Sequence, residues 1–196
     1  MPRRPVALAL LALLVPGLLA ACSGCGTRRD ASRGPRTAAD SLIDWRTRAD
    51  SLEGVLGSMD KVEGQLVEGV GTPVYAAWLD RGEVRVVHEE LDLGTRGSRS
   101  NRYYFERGVP RLAVESGRAP IDTTPTLRRL ERAILFDDSG RLVAATMSLD
   151  SVKTWVASPE AATALVNAQR LRASAQAVHS SRDAGAAPGD EKPTPR

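Results

Sequence analysis

Thiols and imidazoles are nearly missing from this chain, whose 196 residues include 2 cysteines and 2 histidines. Cys22 and Cys25 both stand near the amino terminus, so a disulfide framework, a Cys/His zinc cluster and a thiol-dependent active site within the fold are not expected. Aromatics are scarce at 4%, and of the 27 basic residues only Lys61, Lys153 and Lys192 are lysines. No apolar run reaches the roughly 20 residues of a comfortable membrane span, which excludes a polytopic membrane protein. Low-complexity composition is also absent, with Gly 17 and Pro 12, while 42% apolar residues are too many for a disordered chain. One domain with an ordinary core is expected.

The first 22 residues are the most informative stretch. Arg3 and Arg4 precede an apolar run from Val6 to Leu19, broken only by Pro16 and Gly17, and the run ends in Leu19-Ala20-Ala21-Cys22. A basic start, an apolar middle and small residues before a cleavage point make a secretory signal over residues 1–21. Leu19-Ala20-Ala21-Cys22 resembles the lipobox of bacterial lipoproteins. That resemblance implies cleavage before Cys22, acylation of its thiol, and membrane lipid as a partner through that anchor. It places the protein in the cell envelope on the extracytoplasmic side. Ser23 stands where lipoproteins retained in the inner membrane of some bacteria carry aspartate, which favours the outer membrane. Loss of residues 1–21 removes Arg3 and Arg4 from a formal net charge of +3 and leaves about +1. Cys25 is then an unpaired thiol, open to an interchain disulfide, a second acylation or no role.

Residues 22–36 hold no large apolar side chain and read as a flexible tether. The same reasoning makes residues 181–196 a disordered tail. Between them the pattern predicts an α+β domain over 37–180, a six-stranded mostly antiparallel meander flanked by an N-terminal and a C-terminal helix. Thr37 and Asp40 have capping-box spacing, and Leu42, Trp45, Ala49, Leu52, Leu56 and Met59 form one helical stripe within 37–66. That stripe either covers the domain's own sheet or pairs copies as a short coiled coil through helix 38–59. From 72 to 150 the period changes. Three apolar runs lead into acidic-plus-glycine turns at Gly82, Gly108 and Gly140, each followed by a second β-rich run. Pro110 marks a strand edge or a bulge. Ser158-Pro159-Glu160 starts the last helix, to about residue 180, with Ala161, Ala164 or Leu165, Ala168, Leu171, Ala175 and Val178 on its face.

Few constellations could carry chemistry. His88, Glu90 and Asp92 share one face of a strand and offer a weak case for a metal-dependent enzyme, against a solvated strand face. Arg99, Arg102, Arg107 and Arg111, interleaved with Tyr103, Tyr104 and Phe105, offer an anionic-ligand surface. The alternative there is structural, with Tyr103 and Phe105 in the core, Tyr104 half-exposed and the arginines solvating a loop. An extracytoplasmic location argues against nucleic acid, leaving an envelope protein or an anionic envelope component as the partner. Tyr75, Trp78 and Tyr104 are candidates to line a groove between sheet and helix, as a carrier or inhibitor of a lipid or protein ligand would need. No cofactor signature is present, since Gly69-Val70-Gly71 lacks the third glycine of a dinucleotide loop. The leading expectation is a non-catalytic binding or scaffolding lipoprotein. Metabolic labelling with a fatty acid tests its first step, because labelling should disappear in Cys22→Ala, and unchanged labelling would refute the anchor.

Overall fold

The computed structural model describes residues 37–66, 73–120 and 126–185. A helix α1 (Ala38–Glu53) is followed by eight strands and a helix α2 (Ser158–Gly185). The strands are β1 (Asp60–Gln65), β2 (Val74–Asp80), β3 (Glu83–Asp92), β4 (Ser98–Glu106), β5 (Val109–Pro120), β6 (Leu127–Phe136), β7 (Leu142–Leu149) and β8 (Val152–Thr154). They form one antiparallel sheet in chain order, β1 to β8. The α+β meander is therefore as expected, with eight strands instead of six. No helix among the described residues is long and apolar enough to cross a membrane.

The two additional strands are those with the least apolar pattern to read, Asp-Lys-Val-Glu-Gly-Gln and Val-Lys-Thr. β1 buries only Val62 and β8 is exposed at all three residues, so neither carries the alternation by which a strand is recognised. Residues 37–66 are correspondingly not one helix. α1 opens with the expected capping box, Asp40 N–H donating to Thr37 Oγ1 at 3.1 Å and Thr37 N–H donating to Asp40 Oδ2 at 3.0 Å. It ends at Glu53, before Gly54 and Gly57, where each glycine costs a helix roughly 1 kcal/mol. Leu56 keeps its place in the stripe from a single 3₁₀ turn and still packs with Leu42, Trp45 and Ala49. The buried part of the stripe, Leu42, Trp45 and Ala49, packs on the domain's own sheet.

The turns follow their chemistry. Registers Asp80–Glu83, Glu106–Val109 and Leu149–Val152 leave two-residue loops. Arg81 and Gly82 have φ of 53° and 77°, Arg107 and Gly108 of 52° and 72°, as a type I′ hairpin requires. Beside the β2–β3, β4–β5 and β6–β7 turns the register slips, leaving Arg85, Arg111 and Val143 each as the extra residue of a bulge. Pro110 sits at the second of these, where a missing N–H is tolerated.

The helices cover opposite faces. Tyr103, Phe105, Ile134 and Phe136 face α2, while Tyr104, Leu112, Ala133 and Leu135 face α1. α2 runs along the turns at one end of the sheet: Leu165 lies against Gly140, Arg172 against Gly108 and His179 against Gly82. Those contacts recur every seven residues, about 10.5 Å of helix, close to the roughly 9.6 Å that two strands occupy. Ala161, Ala168 and Ala175 keep the same interval on its buried side, where small side chains let the helix approach the sheet. α2 also continues beyond 180 into the segment expected to be disordered, reaching Gly185, with Arg182 Nη1 donating to the Lys61 carbonyl at 3.0 Å. Residues 186–196 lie outside the described residues. Leu171 is fully buried between helix and sheet, so Leu171→Ala should lower stability by about 2–5 kcal/mol in chemical denaturation.

Candidate functional site

The sheet separates the residues that the sequence draws together. Arg99 and Arg102 stand on opposite faces, because positions of odd and even parity diverge on a strand. Arg99 Nη1 lies 3.3 Å from Glu115 Oε1, and Arg102 sits beside the Tyr104 hydroxyl. Arg107 occupies a tight turn. Arg111, the extra residue of its bulge, stacks 5.2 Å from the Trp45 ring and pairs with Asp138. The four arginines thus form no single patch. The aromatic groove divides likewise, Tyr75 facing α2 with its hydroxyl 2.8 Å from Ser174 Oγ, Trp78 and Tyr104 facing α1. Tyr104, expected half-exposed, is buried at 3% exposure. Cys22 and Cys25, and the Gly69-Val70-Gly71 segment, lie outside the described residues.

His88, Glu90 and Asp92 do share a face, but each serves its neighbourhood. Glu90 accepts from Ser100 Oγ at 2.7 Å and Asp92 accepts from the Gly94 N–H at 2.8 Å. His88 stacks edge-on against Trp78, ring centroids 4.6 Å apart, with Nε2 2.8 Å from Glu53 Oε1. Tyr104 donates its hydroxyl to the same carboxylate oxygen at 2.8 Å. Glu53 is the last residue of α1, where negative charge opposes the helix dipole, and these two donors compensate it while fastening the helix to β3 and β4. Burial, followed by the Glu53 hydrogen bond, raises the Tyr104 pKa well beyond its ordinary range. Among the described residues there is no group of three His, Cys, Asp or Glu side chains able to hold a metal ion.

Beneath the start of α2 lies a second polar cluster that sequence reasoning did not single out. Glu89 and Glu115 are buried at 4% and 8% exposure. Asn101 Nδ2 donates to Glu89 Oε2 at 2.8 Å and Tyr103 donates to it at 3.3 Å. Arg132 bridges Glu115 on β5 and Glu160 on α2. The cavity beside this cluster, about 60 Å³, admits no organic ligand of useful size, so the cluster acts as an internal clamp between sheet and helix.

An open site lies on the other face, beyond α1. A hollow of about 870 Å³ has Val114, Ser116 and Thr146 in its floor, Arg46 on its α1 side and Lys153 and Trp155 on its β8 side. Arg46 Nη2 donates to Thr146 Oγ1 at 3.1 Å. Neither Arg46 nor Lys153 has a carboxylate partner among the described residues, whereas Glu131 at the margin is paired with Arg129 at 2.6 Å. Trp155 is 91% exposed. No sequence signal predicted this hollow, since its walls come from α1, β5, β7 and β8 and depend on their long-range registers.

Comparison of the chain with protein-family models, with curated proteins and with solved structures finds no match in any of the three.

The buried Glu89 gives a pH signature. Desolvation holds its carboxyl above the ordinary value of 4.5, outweighing the opposing hydrogen bonds from Asn101 and Tyr103. A raised folded-state pKa means that the folded protein binds the proton more tightly than the unfolded chain, so this contribution is present at low pH and is lost as pH rises from 4.5 through the raised value. Denaturation of wild type and Glu89→Gln at a series of pH values should show wild type losing stability relative to the variant as pH rises. A difference that grows in favour of wild type would contradict the assignment.

Proposed function

We propose that this protein is a bacterial envelope lipoprotein, anchored through acylated Cys22 on the extracytoplasmic side and favouring the outer membrane, whose domain binds or scaffolds and performs no chemistry. The signal-like residues 1–22 support the anchor. The observation that carries the binding role is the contrast between the two faces of the sheet. On one, ionic groups are committed to each other beneath α2; on the other, a hollow presents an exposed indole and two cations without a carboxylate partner among the described residues. A carrier is the second reading, favoured by the volume of that hollow, within the roughly 300–1,000 Å³ typical of small-molecule pockets. Mass spectrometry of the protein released gently from membranes separates them, a carrier retaining a lipid-sized ligand and a scaffold not.

A photo-crosslinking side chain at Ser116, within the hollow, should give discrete adducts in intact cells, while the same group at exposed Gln169 on α2 should not. Equal patterns at the two positions would refute a ligand or partner at the hollow.

A further inference from the structure

Trp155 and Val152 are the two most exposed large apolar side chains among the described residues, at 91% and 65%; Val152 opens β8 and Trp155 directly follows it. β8 has three residues, all exposed, and among the described residues it pairs only with β7, which makes it an edge of the described sheet. Val152 stands opposite Leu149 and shares the α2 face; Lys153, one residue on, points to the α1 face with the hollow. The corner of the molecule therefore presents apolar groups around an edge, with the Lys153 ammonium between them and the Arg46 guanidinium across the hollow. Neither cation has a carboxylate partner among the described residues.

Two requirements define what covers this corner. It must receive an indole, whose ring is apolar and whose N–H needs a polar neighbour, and within a few ångströms it must offer negative charge. The interfacial layer of an anionic bilayer meets both, with acyl carbons just beneath a plane of phosphates; tryptophan concentrates at that depth and cations are drawn to the surface. The position along the chain also fits. Fourteen residues separate Cys22 from Thr37, a contour of at most about 50 Å, so an anchor at Cys22 keeps the domain within that distance of lipid. Arg46, on the rim of the hollow, is little more than two helical turns from Thr37.

We propose that the β8 corner is a second, non-covalent membrane contact, in which Trp155 and Val152 enter the interfacial layer of an anionic bilayer and Lys153 and Arg46 meet lipid phosphates. The contact adds to the acyl anchor and fixes which side of the domain faces the membrane. It leaves the outward face of α2 directed away. The proposal rests on the anchor reading above, and its test keeps the two apart.

The full chain, purified from membranes and reconstituted into vesicles, is compared with Trp155→Phe, so that the difference in emission reports Trp155 alone against Trp45 and Trp78. In vesicles containing about a third phosphatidylglycerol, the Trp155 contribution should be quenched by lipids brominated high on the acyl chain and shielded severalfold from aqueous acrylamide. In phosphatidylcholine vesicles, or with Arg46→Gln and Lys153→Gln together, the shielding should shrink. A Trp155 that stays open to acrylamide in anionic vesicles overturns the contact. Shielding without quenching by brominated lipid overturns it too, and would assign the corner to a second copy or a protein partner. Fatty-acid labelling of the same preparation reads the anchor: labelled protein with an accessible Trp155 rejects the contact alone, while unlabelled protein with a quenched Trp155 rejects the anchor alone.

Discussion

The architecture depends on a match of lengths between α2 and the edge it lies along. Each heptad of the helix advances about 10.5 Å and each hairpin of the sheet about 9.6 Å, so one side of the helix meets successive turns in nearly the same way. Leu165, Arg172 and His179 therefore find Gly140, Gly108 and Gly82 in order. The glycines serve both partners. Their positive φ closes the turns, and at Gly108 and Gly140 the absence of a side chain also gives the helix room, since a Cβ would crowd the Arg172 guanidinium or the Leu165 methyls. The bulge beside each of these turns increases local twist at the same end of the sheet, which keeps the three hairpins alike where the helix passes.

A helix is only about 10 Å wide, which is three residues of strand. The central strands run to 10 or 12 residues, so a single helix crossing on each face cannot cover them. Near the turns, adjacent residues such as Val86 and Val87, or Ile134 and Leu135, are both buried, one under each helix. Farther along, the same strands change to Glu89, Asn101, Glu115 and Arg132, whose polar ends are paired beneath the start of α2. On the face of α1 the paired polar groups, Glu53 with His88 and Tyr104, lie towards β3 and β4, and among the described residues a hollow remains between the helix and β8. Its existence follows from strand length and helix width, and its charge from the two cations that the chain leaves at its rim.

How much of this was legible in the sequence depends on whether the signal was local. The six strands with an alternating or continuous apolar pattern were readable, as were the glycine turns, the capping box of Thr37 and Asp40, and the proline-marked start of α2. β1 and β8 were not, because one is mostly polar and the other has three residues, which leaves no apolar period; their pairing is supplied by β2 and β7. The end of α1 was obscured because Leu56 continues the helical stripe from a 3₁₀ turn, so the apolar spacing persists after the α-helix has stopped. For the site, the shared face of His88, Glu90 and Asp92 was visible, but not Glu53, which reaches His88 from 35 residues away in the chain.

The arginines make the same point about composition. Arg99, Arg102, Arg107 and Arg111 are dense in the sequence, yet a strand period of two, a two-residue turn and a bulge send them to four different surroundings. Arg111 and Arg48 flank the Trp45 ring at 5.2 Å each, so two of the chain's cations are spent inside the α1 contact. Arg132 and Arg99 are spent beneath α2. Local density of charge therefore overstates what a ligand could meet, and the residues that matter are those whose charge the fold leaves unanswered. By that criterion Arg46 and Lys153, isolated in the sequence and unremarkable there, are stronger binding candidates than the arginine-rich stretch, because each faces an open hollow without a carboxylate partner among the described residues. The exposed indole beside them turns a surplus of positive charge into a surface with both polar and apolar requirements, which is a narrower demand on any partner than charge alone.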